Sequence, residues 1–185
     1  MKKNILSVFL FTVFIFHSFC QSVSDFLFIT DDGKITITGY SGSVRDIVIP
    51  RVINGLPVAA IGADAFTRRL LTTVVLPDTL VEVKDRAFSF NHLTSLTLPD
   101  SVTTLGYMAF SNNRLTNLIL SESLSFIGMH AFSSNRLRDI NFPDSLEYIG
   151  DRSFTRNFLT NVVIPGNVKN FNSYAFDRNV RISRK

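Results

Sequence analysis

Apolar residues return along this chain at a fixed interval. Leu71, Leu93, Leu115, Leu137 and Leu159 stand 22 residues apart; Phe88, Phe110, Phe132, Phe154 and Phe176 keep the same step, as do Asn91, Asn113, Asn135, Asn157 and Asn179. Periods of about 20–50 residues mark chains built from stacked supersecondary units. Taking each leucine as position 1, apolar residues recur at positions 4 and 6, as in Val74/Leu76, Leu96/Leu98, Leu118/Leu120, Ile140/Phe142 and Val162/Ile164. Alternation of this kind predicts a strand with one buried face. Position 7 is Pro77, Pro99, Pro143 and Pro165, broken only by Ser121; proline lacks a ladder donor and ends the strand.

A second apolar pair follows at positions 10 and 13, from Leu80/Val83 to Val168/Phe171. Gly106, Gly128 and Gly150 come next, where a tight or left-handed turn is expected. An Ala-Phe pair then closes each unit, with Ser153-Phe154 the one exception. A looser copy lies upstream: Ile47, Ile49 and Pro50 match positions 4, 6 and 7, and Ala65-Phe66 matches the later pair, with five extra residues around Asn54-Gly55. Asn-Gly predicts a small hairpin there. Before it, Phe26–Thr30 and Lys34–Thr38 flank Asp31-Asp32-Gly33, which predicts a β-hairpin covering the first open end of the stack.

The pattern therefore predicts a β-rich solenoid of parallel stacked strands in 22-residue repeats. Its expected parts are a leader over residues 1–20, a capping hairpin over 21–43, an atypical first repeat with a five-residue insertion over 44–70, five regular repeats over 71–180 and a tail over 181–185. One coil cannot hide its apolar face from water, whereas stacked coils cover one another. The inward asparagines are expected to satisfy backbone groups of the turns. With no polar capping repeat after the last coil, an open apolar end would permit end-to-end self-association.

The first residues change the picture of where the protein works. Lys2 and Lys3 precede an apolar block of about twelve residues, Ile5 to Phe16, and then the more polar His17–Gln21, the order of a secretory signal peptide. The block falls short of the roughly twenty residues of a spanning helix. Cleavage after Cys20 is expected, since Ser18 and Cys20 are small; lipidation of Cys20 is the alternative, with His17 and Phe19 fitting it poorly. Export to the periplasm, cell surface or medium follows, without an integral membrane segment in the mature chain. Removing residues 1–20 takes away two lysines and no acid, so 19 basic and 15 acidic residues become 17 and 15, and the net charge falls from +4 to +2. That balance gives no reason to expect nucleic acid, whose binders concentrate basic charge. Without Cys20 the mature chain has no thiol for disulfides, metal or catalysis.

The unit L-x-x-L-x-L-P-x-x-L-x-x-I-G-x-x-A-F-x-x-N, running from Val44 to about Val180, closely resembles the BspA-like leucine-rich repeat family of bacterial surface proteins. The segments Thr38–Ser43 and Ile53–Val58 also look like the usual beginning of such proteins. The resemblance implies a curved leucine-rich-repeat solenoid outside the cytoplasm, in a family linked to adhesion and host-protein binding. It implies no particular ligand, because fold alone does not fix function.

Candidate binding residues are the exposed strand positions. They include Thr72, Thr73, Thr94, Thr97, Thr116, Asn117, Arg138, Asp139, Asn141, Thr160 and Asn161, a hydroxyl- and amide-rich face suited to a protein partner or a glycan. Threonine is also simply a good exposed strand residue. Asp78, Asp100, Glu122 and Asp144 form an acidic column whose place after the proline reads as turn capping rather than calcium ligation. Arg114 and Arg136 share one coil-edge position, and Arg156 and Arg178 another. His92 and His130 sit at different repeat positions, and G-x-S-x-G, H-E-x-x-H and phosphate-loop sequences are absent. No cofactor and no enzymatic role are expected.

Overall fold

The computed structural model describes residues 21–185, so the leader and the fate of Cys20 lie outside the described residues. Strands run in the order β1 (Phe26–Asp31), β2 (Lys34–Tyr40), β3 (Asp46–Val48), β4 (Val52–Ile53), β5 (Leu56–Ile61), β6 (Thr73–Val75) and β7 (Glu82–Val83). They continue with β8 (Ser95–Thr97), β9 (Thr104–Leu105), β10 (Asn117–Ile119), β11 (Phe126–Ile127), β12 (Tyr148–Ile149), β13 (Asn161–Ile164), β14 (Asn170–Phe171) and β15 (Arg181–Arg184). Among the described residues, helix is confined to two 3-10 turns, Val23–Asp25 and Ser173–Ala175.

The chain winds as a solenoid, and both predicted hairpins form. β1 and β2 pair antiparallel from Phe26↔Tyr40 to Asp31↔Lys34. Asp32 and Gly33 take φ of 45° and 68° in the turn, the two positive values that a two-residue type I′ turn requires. Asn54 and Gly55, at φ 53° and 80°, do the same between β4 and β5. β2 then pairs in parallel with β5, so the hairpin continues into the stack and covers its first end.

The continuous sheet is not the one the leucine-rich strands predict. A nine-stranded sheet runs β1-β2-β5-β7-β9-β11-β12-β14, with β4 attached to β5, and it follows the second apolar pair of each unit. The strands before the prolines form only separate parallel pairs, β3·β6, β8·β10 and β13·β15. Residues around Ile140 and Phe142 form no strand, although both side chains are buried. Position 6 is aromatic only in this copy. The Phe142 ring lies edge-on to Phe154 at 5.4 Å and to Phe176 at 6.3 Å, and Asp139 and Asn141 beside it are weak strand formers. Arg181–Arg184, expected as a tail, instead extend the stack by pairing with β13, while the Arg184 guanidinium lies 5.6 Å over the Phe171 ring.

The centre of the solenoid is a column of rings. Phe66, Phe88, Phe110, Phe132, Phe154 and Phe176 stack at centroid distances of 4.9, 5.2, 5.6, 5.4 and 5.5 Å. These match the spacing of paired strands, about 4.8 Å. Tyr40 and Phe26 extend the column under the cap. The alanine beside each phenylalanine lets the coils close: the amides of Phe88, Phe110 and Phe132 each donate at 2.8 Å to the carbonyl of Ala109, Ala131 or Ser153 in the next coil.

The repeated glycines have a different cause from the expected left-handed turn. None of Gly106, Gly128 and Gly150 has positive φ. A Cβ on Gly128 would meet the Gly106 carbonyl carbon at 2.6 Å, and one on Gly150 would meet the Met129 nitrogen at 2.5 Å. They are small because successive coils touch there. The left-handed residues fall at positions 16 and 20 and are not glycine: Arg86, Met108, His130 and Arg152 in one column, and Phe90, Asn112, Ser134 and Arg156 in the other, all at φ of 54–58°.

Two outcomes follow from this packing. Phe132→Ala, which empties the middle of the ring column, is expected to cost about 3–5 kcal/mol and to lower the melting temperature in one cooperative transition; an unchanged transition would refute the stacked core. Gly128→Ala should lose about 1–3 kcal/mol to overpacking, whereas His130→Gly should be close to neutral. There, relief of a left-handed residue is offset by unfolded-chain entropy. Chemical denaturation of the two variants beside the parent checks the contrast.

Candidate functional site

Each inward asparagine is a junction between two coils. Asn135 accepts the Leu115 amide at 3.0 Å and donates to the carbonyls of Phe110 and Phe132 at 3.0 and 3.1 Å. Asn91, Asn113 and Asn157 repeat this arrangement. Asn179 does not share it: its side chain is exposed. In its coil the Asp177 carboxylate accepts the Arg156 amide at 2.8 Å, whereas the equivalent amides of Phe90, Asn112 and Ser134 donate to backbone carbonyls of the next coil. The first four amides and all five phenylalanines belong to the scaffold, so recognition falls to what points outward.

Three outward surfaces stand out. On the face of the strands before the prolines, the candidate residues do not all remain free. Thr72 is half-buried and donates to the Asp46 carboxylate, which also accepts Thr73 Oγ1 at 2.8 Å. Those two hydroxyls hold the Asp46 carboxyl below its usual range. Thr116 Oγ1 donates to the Thr94 carbonyl at 3.2 Å, and Thr160 Oγ1 to Asn161 Oδ1 at 3.1 Å. Thr94, Thr97, Asn117, Asp139 and Asn141 are exposed, and the Arg138 guanidinium lies over the exposed Phe158 ring at 5.7 Å.

Down the middle of this face runs a column that is more apolar than the threonine pattern suggests. Val48, Val75, Ile119 and Val163 are 57%, 57%, 52% and 44% exposed, interrupted by Thr97 and Asn141. The breaks between strand pairs open shallow depressions: about 280 Å³ between β6 and β8, and about 390 Å³ where Asp139–Phe142 leave the ladder. A third, of about 410 Å³, lies beside β3, where the Gln21 side chain pairs with both backbone groups of Val48 at 2.8 Å.

The second surface is the outer side of the continuous sheet, which sequence reasoning missed. From β7 onward its strands are two residues long, too short for alternation to register, yet the column Glu82, Thr104, Phe126, Tyr148 is legible once the period is known. Phe126 and Tyr148 stack at 4.7 Å and 8°. The third surface is a polar groove of about 580 Å³ along one coil edge, between the two left-handed columns.

The acidic column is used piecemeal. Asp78 pairs with Arg51 at 3.0 Å, Asp144 with Lys185 at 2.6 Å, and Asp100 accepts the Glu122 amide. Among the described residues, no three His, Cys, Asp or Glu side chains converge as metal ligands, and no helix is long and apolar enough to cross a membrane.

A parallel coil stack with a 22-residue period, a buried asparagine column and exposed strands defines a leucine-rich-repeat solenoid. The BspA-type leucine-rich repeat model matches residues 59–183 in six copies, and the chain belongs to that family. No curated protein matches the chain. Among solved structures it is similar to a leucine-rich repeat protein of T. pallidum (28% identity, 84% of this chain and 65% of that one, TM-score 0.50). It is also similar to a leucine-rich cell surface protein of Faecalibacterium prausnitzii (26%, 89% and 54%, TM-score 0.61). The pneumococcal vaccine antigen PcpA shares the fold (18% identity, 86% and 46%, TM-score 0.63). The chain thus spans less than two thirds of the length of each of these three proteins.

Proposed function

We propose that this protein is an exported, non-catalytic binding module that recognises another protein through the face of the strands before the prolines. The observation that carries the reading is the exposed Val48, Val75, Ile119 and Val163 column, bordered by threonine and asparagine groups. An apolar centre with a polar rim is the composition of a protein-binding patch, and repeat solenoids offer extended faces for such contacts. Export rests on the order of residues 1–20, and cell-surface placement is supported by the description of the F. prausnitzii protein. Adhesion, to a host component or to another bacterium, is the role that such a patch would serve.

The test is a protein and glycan array probed with the chain lacking residues 1–20 and with its Ile119→Lys variant. Ile119 is exposed, so the substitution leaves the core intact. Selective capture of a protein, weakened about tenfold or more by Ile119→Lys, is the expected result, equivalent to about 1.4 kcal/mol. Equal binding by both proteins would remove this face from the reading; binding to glycans alone would replace the protein partner.

A further inference from the structure

The coil-edge groove differs from the rest of its edge in one respect. Arginines occur repeatedly at its two left-handed columns, and towards the N-terminal end they are engaged. Arg86 makes a two-point ion pair with Asp64, at 2.8 and 2.6 Å, and Arg68 lies 4.7 Å over the Phe90 ring. In the groove, Arg152 and Arg156 hold the same two positions. Among the described residues neither has a carboxylate within ion-pair distance or an aromatic ring beneath its guanidinium.

Their surroundings are those of a polar ligand. The groove wall carries the half-buried hydroxyls of Ser134 and Thr155; Ser133, 3.3 Å from Thr155, and Ser111, which accepts from Asn112 Nδ2 at 2.9 Å, are buried behind them. Asn112 stands on the rim. The Tyr107 ring meets the His130 imidazole edge-on at 5.9 Å and closes the far side as a partly exposed aromatic platform. One carboxylate lines the groove, that of Asp177, and it is occupied by the backbone amides of Arg156 and Asn157 at 2.8 and 3.4 Å.

We infer that this groove binds an acidic oligosaccharide. Arg152 and Arg156 would take a sulfate or carboxylate group, Ser134, Thr155 and Asn112 the sugar hydroxyls, and the Tyr107 ring an apolar sugar face. A guanidinium presents a fork of donors that matches such oxyanions, and about 580 Å³ lies within the roughly 300–1,000 Å³ of small-ligand sites. The hydroxyl and amide lining favours a saccharide over an acidic peptide. The local field agrees: burial first, then Arg152 and Arg156, push the His130 pKa down, against a smaller opposing effect of Asp151. A bound anion would reverse part of that effect and raise it.

The experiment measures binding of a sulfated uronic acid–glucosamine tetrasaccharide by calorimetry, with its desulfated form and hexaglutamate as comparisons. Two double variants remove equal charge: Arg152→Asn with Arg156→Asn in the groove, and Arg114→Asn with Arg136→Asn outside it. Asparagine tolerates left-handed backbone, and Asn112 already occupies the repeat position of Arg156, so the groove pair should fold. Expected are a tenfold or greater loss of affinity for the groove pair alone, and an upward move of the His130 imidazole titration, read by NMR, when the tetrasaccharide binds. Equal losses in both pairs would reduce the site to general charge attraction and overturn the proposal. So would tighter binding of hexaglutamate, or no binding of the tetrasaccharide.

Discussion

A chain wound into coils leaves backbone amides and carbonyls inside every turn, where water cannot reach them, and the protein meets that constraint with a single side chain. The asparagine of one coil accepts the leucine amide that follows the preceding turn, and it donates to the phenylalanine carbonyls of both coils. A buried backbone group left without a partner costs about 1–3 kcal/mol, and an apolar residue at Asn135 would strand the Leu115 amide outright and leave each phenylalanine carbonyl with one of its two asparagine donors. The junction works only if the coils keep register. The glycines that let backbones touch, and the phenylalanines that fill the axis, are consequences of the same spacing.

This arrangement divides the residues between two tasks. Inward positions repeat because each coil must fit the next, and outward positions are free to differ. Freedom is greatest where the chain turns through left-handed backbone, since those residues project from the edge whatever their identity: Met108, His130 and Arg152 occupy one such column. The polar groove exists because two of these columns run side by side across several coils. The exposed apolar residues Val75, Ile119 and Val163 arise likewise on the strand face, one in every second coil with Thr97 and Asn141 between them. A repeat scaffold thus converts single substitutions into extended surfaces.

The scaffold was legible in the sequence because its causes are periodic. Columns of leucine, phenylalanine and asparagine report burial directly, and the Asp-Gly and Asn-Gly turns report their own φ values. Features that depend on contact between coils were not. Gly128 is small because of Gly106 in the coil before it, a relation invisible along the chain. From β7 onward the continuous sheet rests on two-residue strands that carry no alternation, and the gap in the other ladder at Asp139–Phe142 shows only in the stack. Among the candidate face residues, Thr72 and Thr73 are engaged by Asp46 because the parallel β3·β6 register sets that carboxylate opposite Thr73. The groove at the coil edge required knowing which arginines already had partners.

The claim on which the rest depends is that the asparagine junction holds neighbouring coils together. Native-state hydrogen exchange in an Asn135→Leu variant tests it most directly, with the Leu115 amide as reporter because it donates to the Asn135 side chain. The expected result is at least about tenfold faster exchange at Leu115 together with a lower melting temperature, a change of about 1.4 kcal/mol or more. Unchanged protection at Leu115 and an unchanged melting temperature would contradict it.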